Sequence, residues 1–304
     1  MTSFPPVTAV VPTHNRPELM RRAVESIVTQ EYPGFIEVLI VFDACPEEAP
    51  DLTLPPHRSM KTTTNLRSRG LAGARNTGID GASHDYVAFL DDDDYWLPGK
   101  LTAQMERFQQ EPRPVLVGTA IVADDGARQH ERLVPLEVVG HADLIREHFA
   151  GLHSSTFVFR TETLRSVGMV DEDLPGSYGE DYDLLLRTAK AGVIAVVNRP
   201  LVSVNWSGQS YFFGRWAAYA EGLTYLQEVH PEFAGDRRAL GRIQSQIAFA
   251  RVAARERRTG RTWALKALRS DPRQVKAWLA LAISLRLMSA GFVIGVVRRM
   301  GKGI

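Results

Sequence analysis

The chain has 304 residues, 44% hydrophobic and 23% charged, which is ordinary for a globular protein and long enough for one large α/β domain plus an appendage. Its formal net charge of +1 hides an asymmetry: residues 1–210 carry 19 basic and 29 acidic side chains, whereas residues 211–304 carry 17 basic and 6 acidic. A lone Cys45 excludes an intramolecular disulfide framework and a cysteine-built zinc site, which fits a reducing cytosol, and Met1 to Pro6 lack the basic and apolar regions of a secretory signal.

In chain order, Val7 to Val11 is a β-branched run closed by Pro12, and Thr13-His14-Asn15-Arg16 follows as a polar loop. Leu19, Ala23, Ile27 and Val28 then recur at helical spacing through Gln30. Ile36 to Phe42 is a second strand ending at Asp43, and Pro46 to Pro56 reads as a loop. Arg67 to Gly81 carries four glycines and predicts a small-residue helix packed closely on a sheet. The next strand, Tyr86 to Leu90, ends in Asp91-Asp92-Asp93-Asp94. Further strands are predicted at Val115 to Val122, Phe157 to Phe159, Val193 to Val197 and Leu201 to Val204. Gly176 to Asp183 reads as an acidic loop running into a helix at Leu184, which Gly192 closes. After a boundary at Asn205 to Gly214 the pattern turns helical, over Trp216 to Glu228, Arg238 to Arg258, Gly260 to Ser270 and Gln274 to Met300.

Short apolar strands alternating with helices predict an α/β fold, its mixed, mostly parallel sheet covered on both faces, followed by an all-helical C-terminal region. The division falls at 1–210 and 211–304. In such sheets ligands collect at the carboxyl ends of strands, and here three of those ends carry polar or acidic residues.

Four consecutive carboxylates need their repulsion cancelled, either by solvent in an exposed turn or by a bound cation such as Mg²⁺ or Mn²⁺. Asp91 and Asp93 lie two apart, which on an extended strand end puts them on one side, one in reach of a ribose hydroxyl and one of a metal. A second acidic pair, Glu180-Asp181, precedes a helix, where it serves either as a cap or as a source of a general base.

Pro12-Thr13-His14-Asn15-Arg16, Ala74-Arg75-Asn76-Thr77-Gly78-Ile79, Phe89 to Pro98 with its acid run, and Gly179-Glu180-Asp181-Tyr182-Asp183-Leu184, in this order, resemble glycosyltransferase family 2, the inverting enzymes of GT-A fold, over roughly residues 5–210. The resemblance implies a nucleotide-diphosphate-sugar donor, a divalent metal (Mn²⁺ or Mg²⁺) and inversion at the anomeric carbon. It assigns Asp91 to the donor, with Asp92 assisting, Asp93 to the metal and Asp181 to deprotonation of the acceptor. Glu180 then has a supporting or acceptor-binding role. Thr13, Asn15, Arg16, Asp43, Arg75 and Asn76 complete nucleotide recognition, Asp43 reading the base through a ring N–H and Arg75 meeting a phosphate or pairing with the carboxylates.

Two departures stand out. The second strand of the family ends in two acids followed by Gly-Ser, but here it runs Phe42-Asp43-Ala44-Cys45, so the base is not assigned. Relatives carry a histidine shortly after the strand at Leu201 to Val204, whereas this chain has Trp206, which is expected to line the sugar or acceptor site or to pack in the core. His153, ahead of Ser154-Ser155-Thr156, is read as an acceptor contact or part of a hydrogen-bonded turn.

Trp278 to Val297 is apolar apart from Arg286 and small breaks at Ser284, Ser289 and Gly291, and Arg298, Arg299 and Lys302 follow. A mid-span arginine disfavours a crossing helix, leaving an interfacial helix over 278–302 or a packed appendage and homodimer surface. No nucleic-acid motif accompanies the charge. The combined expectation is a cytoplasmic transferase at the inner face of the cell membrane, adding sugars to a glycan or lipid-linked acceptor in envelope synthesis. The competing readings are a sugar-phosphate nucleotidyltransferase, whose glycine-rich triphosphate turn is missing at Pro12 to Pro17, and an inactive scaffold domain.

Overall fold

The computed structural model describes residues 4–111, 113–207 and 215–299. They cluster into two compact units, one of residues 4–111, 113–144, 148–172 and 180–207, the other of residues 145–147, 173–179 and 215–299.

In the first unit the elements run β1 (Val7–Thr13), α1 (Pro17–Val28), β2 (Ile36–Phe42), β3 (Arg58–Thr64), α2 (Leu71–Gly81), β4 (Tyr86–Phe89), β5 (Tyr95–Trp96), α3 (Lys100–Phe108), β6 (Pro114–Asp124), β7 (Gln129–Arg132), β8 (Val138–Val139), α4 (His141–Arg146), β9 (Val158–Arg160), α5 (Thr161–Ser166), α6 (Glu180–Ala191) and β10 (Val193–Asn205). The sheet has the order β3-β2-β1-β4-β9-β6-β10-β5, with β7 on β6 and β8 on β10. β1, β2, β3 and β4 are mutually parallel and β6 is parallel to β10, while the short β9 sits antiparallel between β4 and β6. The longer strands therefore point one way. β1 and β2 are buried along their whole length, as strands covered on both faces must be. Val7, Ala9, Val11, Ile36, Val38 and Ile40 meet α1 and α3 through Val24, Ile27, Leu101 and Met105. On the opposite face α2 lies so close that a Cβ on Gly78 would stand 2.2 Å from Val10 Cγ1.

β3 falls where no strand was predicted. Its half-exposed edge sequence, Arg-Ser-Met-Lys-Thr-Thr-Thr, has no apolar run to reveal it, and pairing with β2 supplies its order. The predicted loop at Gly176 to Asp183 gives way to helix at Glu180. The two predicted pieces of β10 are one strand with irregular register between Val197 and Val202.

The second unit contains α7 (Trp216–Val229), α8 (Arg237–Ala253), α9 (Arg257–Ser270), α10 (Val275–Ser284) and α11 (Ala290–Arg299). Residues 208–214, within the expected boundary, and Met300 and Lys302 lie outside the described residues. Asp236 caps α8, its Oδ1 accepting the N–H groups of Arg238 and Ala239 at 2.9 and 3.1 Å. Gly260, expected to separate two helices, instead lies inside α9, because its missing Cβ admits α8, whose Val252 Cγ1 would be 2.5 Å away. The break comes earlier, at Arg255, whose φ is 69°. The helix expected from Gln274 to Met300 is two helices with a turn at Arg286, φ 66°. Among the described residues no helix is long and apolar enough to cross a membrane.

Candidate active site

Because β2, β1 and β4 are adjacent and parallel, their carboxyl ends share one edge of the sheet. Asp43 N–H donates to the carbonyl of Thr13 (2.9 Å) and Leu90 N–H to that of Val10 (3.1 Å), which sets the three strand ends side by side. The antiparallel β9 brings the 3₁₀ turn Ser154–Thr156 to the same edge, where Ser155 Oγ accepts the Asp91 N–H at 3.1 Å.

The acid run does not stay extended. Asp94 N–H donates to Asp91 O (3.1 Å), so the chain turns back on itself and Asp94, rather than Asp93, comes beside Asp91. Asp91, Asp94 and His153 each offer a ligand atom, all within 4.8 Å of one another. Asp93 points to Arg16, 3.2 Å away, which also holds Asp92 at 3.2 Å, and Thr13 Oγ1 donates to Asp92 at 2.8 Å. Thr13 and Arg16 thus brace the acids directly, whereas Asn15, in a left-handed conformation (φ 53°), is exposed and touches His14.

Electrostatics follow from burial. Desolvation pushes Asp92 up to about 6 despite Thr13 and Arg16, and pushes Asp94 up to about 7 despite His153. Burial also raises Asp93. Asp91 is also desolvated, but Arg75 and His153 outweigh this and lower its pKa. Burial opposes the charged form of His153, yet Asp94, Asp91 and Asp181 together raise its pKa. That three-way influence also places Asp181 beside this cluster.

Arg75, buried on α2, ties the acidic groups together: it donates to Asp91 (2.5 Å), Glu180 (2.6 Å) and Ser154 Oγ (2.9 Å). Glu180 is buried and desolvation lifts its carboxyl to about 7 even with Arg75 beside it. Its neighbour Asp181 is only partly buried, at the N-terminus of α6, with Oδ1 accepting the Tyr182 N–H at 2.7 Å. So the two acids of this pair differ in kind: one is buried in an ion pair with Arg75 and the other is partly exposed at the start of α6. Trp206 follows Asn205, whose N–H donates to Asp94 at 3.0 Å, and Arg132 stacks over its ring at 5.5 Å.

Asp43 and Asn76 work through a loop. Asp43 Oδ1 and Oδ2 accept from Asn65 Nδ2 (2.8 Å) and Gly70 N–H (3.0 Å). Asn76 is buried and donates to Val170 O (2.8 Å) and Glu172 Oε1 (2.7 Å). Glu172 also accepts from Ser68 N–H (3.1 Å) and Arg67 (3.0 Å). Burial pushes the Glu172 carboxyl up, but the bonds from Asn76, Ser68 and Arg67 outweigh it and hold it at about 2. Asp43 and Glu172 therefore grip the segment 65–70 from two sides. Sequence reasoning missed Glu172 and the position of Asp94, whereas Ser154 and Ser155 lie in the turn that the sequence marks after His153. Glu172 sits in an ordinary acidic run, 104 residues from Ser68, and no local pattern links them.

Residues 8–168 match the family described as Glycosyl transferase family 2. The chain belongs to that family and is a glycosyltransferase. It is 29% identical over 211 residues to the amylovoran biosynthesis glycosyltransferase AmsB of Erwinia amylovora, covering 64% of this chain and 68% of AmsB. Against the pre-mycofactocin glycosyltransferase of Mycobacterium tuberculosis (strain CDC 1551 / Oshkosh) it is 30% identical over 230 residues, 70% of this chain but 47%, about half, of that relative. Among solved structures it resembles S. aureus TarS 1-349 in complex with UDP-GlcNAc, with TM-score 0.61, 16% identity and coverage of 97% and 92%. It also resembles the mannosyltransferase PcManGT from Pyrobaculum calidifontis in complex with GDP-Man and Mn²⁺, with TM-score 0.56, 17% identity and coverage of 93% and 88%. At these identities the two structures establish the GT-A type of fold.

Proposed function

We propose that this glycosyltransferase moves a hexosyl group from a nucleotide-diphosphate-sugar to an acceptor hydroxyl in one displacement with inversion. The observation that carries the reading is the convergence of Asp91, Asp94 and His153 with Asp181 at the carboxyl edge of the parallel strands. The donor nucleotide lies against Thr13, Asn15, Arg16 and the segment held by Asp43, with Asp91, Asp92, Arg75 and Asn76 bracing the site. The acceptor approaches from the side of Asp181, Glu180, His153 and Trp206.

In the step itself the Asp181 carboxylate takes the acceptor proton as the acceptor oxygen bonds to the anomeric carbon, and the bond from that carbon to the diphosphate oxygen breaks with its electron pair leaving on the diphosphate. Glu180, committed to Arg75, keeps Asp91 and the start of α6 in register. Oxygen and imidazole donors in one cluster suit Mn²⁺, and carboxylates suit Mg²⁺ as well. Asp91, Asp94 and His153 are the residues that would hold the ion, ahead of Asp93, which is paired with Arg16. When bound, the ion compensates charge on the departing diphosphate. TarS, solved with UDP-GlcNAc, and PcManGT, solved with GDP-Man and Mn²⁺, support such a donor and metal.

In this reading the reaction takes place in the cytoplasm at the inner face of the membrane, on a glycan or lipid-linked acceptor of the cell envelope; the diphosphoundecaprenol acceptor in the name of the similar Escherichia coli enzyme WfgD supports the choice of acceptor. Contact with the membrane through 278–302, or a homodimer there, belongs to the same reading. The decisive variant is Asp181→Asn. It should lower turnover by about 10²–10⁴-fold while donor and Mn²⁺ binding, followed by calorimetry, persist. Retained turnover would remove Asp181 from the role.

A further inference from the structure

The last two helices of the second unit expose several large apolar side chains, although the unit has a buried core of its own. α10 buries Ala277, Ala280 and Ile283 against the core of α8 and α9, and turns Val275, Trp278 and Leu285 outward at spacings of three and seven residues. α10 thus packs Ala277, Ala280, Ile283 and, in part, Leu279 and Leu281 on its own core while Val275 and Trp278 stay in solvent. The turn and α11 continue the display, with Leu287 75% and Phe292 66% exposed. Six large apolar residues are exposed within 22 positions, counting Val296, a local concentration of the kind that marks an interaction site. The Trp278 indole N–H is already satisfied by Pro272 O at 2.9 Å, so its ring can leave water without stranding a donor.

Charge names the partner. From Arg257 onward the sequence has eleven Lys and Arg and one acid, Asp271. Arg273 and Arg286 are exposed on either side of the α10 stripe. A surface that is apolar and cationic together, on helices too short to span, matches the interface of an anionic bilayer. Duplex nucleic acid would use the charge but leave the apolar side chains in water. The lipid surface uses both.

We infer that α10, the turn at Leu285–Leu287 and α11 form a peripheral membrane anchor that takes anionic phospholipid, inserting Trp278, Leu287 and Phe292 below the headgroups with Arg273 and Arg286 at the phosphates. This deepens the membrane contact proposed above and does not depend on the catalytic assignment.

The test is flotation of the full-length chain with vesicles of phosphatidylcholine alone and of phosphatidylcholine mixed with phosphatidylglycerol, at low and high salt, with sugar transfer to a soluble acceptor measured on the same samples. Binding should require the anionic lipid, weaken with salt, and fall about tenfold in Leu287→Ser/Phe292→Ser, a variant whose fold is checked by circular dichroism. Arg286→Glu should weaken binding without touching the apolar patch, and it decides the matter if the double variant does not fold. Flotation that ignores lipid charge, or is unchanged in a folded variant, overturns the anchor. So does failure to float by a chain that sediments as a dimer or binds duplex DNA. Loss of transfer with flotation intact would count against the catalytic reading alone.

Discussion

The residue that most changes the view of the donor site is Glu172. It has no hydrogen bond to the acid cluster, yet it holds Ser68, Arg67 and Asn76, and with Asp43 it holds the segment 65–70, which we propose flanks the donor. Glu172→Gln keeps the shape and removes the charge from these hydrogen bonds, which are worth about 1.5–3 kcal/mol when one partner is ionised. Much of that returns as ordering the donor must then supply, so the donor KM should rise about tenfold with kcat nearly unchanged. An equal fall in kcat would instead put Glu172 in the transition state. The sign of its pH dependence is fixed. The folded pKa of about 2 lies below the ordinary 4.5, so the clamp is fully present above about 4.5 and is lost as pH falls toward about 2. Titration of its carboxyl carbon by NMR should place the midpoint well under that of an ordinary glutamate.

At the scale of elements, the glycines of α2 set how near the helix carrying Arg75 approaches the central strand. A Cβ at position 78 would meet the branched, stiff Val10 at 2.2 Å, whereas at position 81 it would meet the flexible tip of Leu39 at 2.9 Å. Gly78→Ala should therefore destabilise by about 1–3 kcal/mol through overpacking. Gly81→Ala should cost clearly less. Thermal unfolding of both variants separates them, and equal losses would mean that α2 moves freely. The contrast was only half visible beforehand: four glycines between Arg67 and Gly81 announced close packing, but nothing in them told which one touches the sheet. β3 shows the same limit from the other side. Its polar, half-exposed sequence carries no strand signal, and its order comes from a partner, β2, that is legible by itself.

For the whole molecule, the acid cluster leaves the first unit with an uncompensated demand for positive charge that Arg16, Arg75 and His153 meet only in part. A cation binding the folded state alone raises its stability by about 2.7 kcal/mol at a hundredfold excess over Kd. Mn²⁺ should accordingly raise the Tm of the intact chain by a few degrees, and Asp94→Asn should lose most of that shift. An undiminished shift in the variant would move the ion elsewhere, Asp93 being the first place to look.

What the sequence determined by itself was whatever depends on local order along the chain. Strand ends at Thr13, Asp43 and Asp91, the alternation that makes a covered parallel sheet, the acidic pair opening α6 and the basic helical end all follow from neighbouring residues, as did the resemblance to family 2. Tertiary structure alone decided the groupings. Asp94 joins Asp91 because the run turns, His153 joins them because β9 runs antiparallel beside β4, and Glu172 reaches Ser68 across the fold. Periodicity records which face a residue takes, but partners distant in the chain are chosen by the packing of elements, and that choice leaves no trace in the spacing of either one.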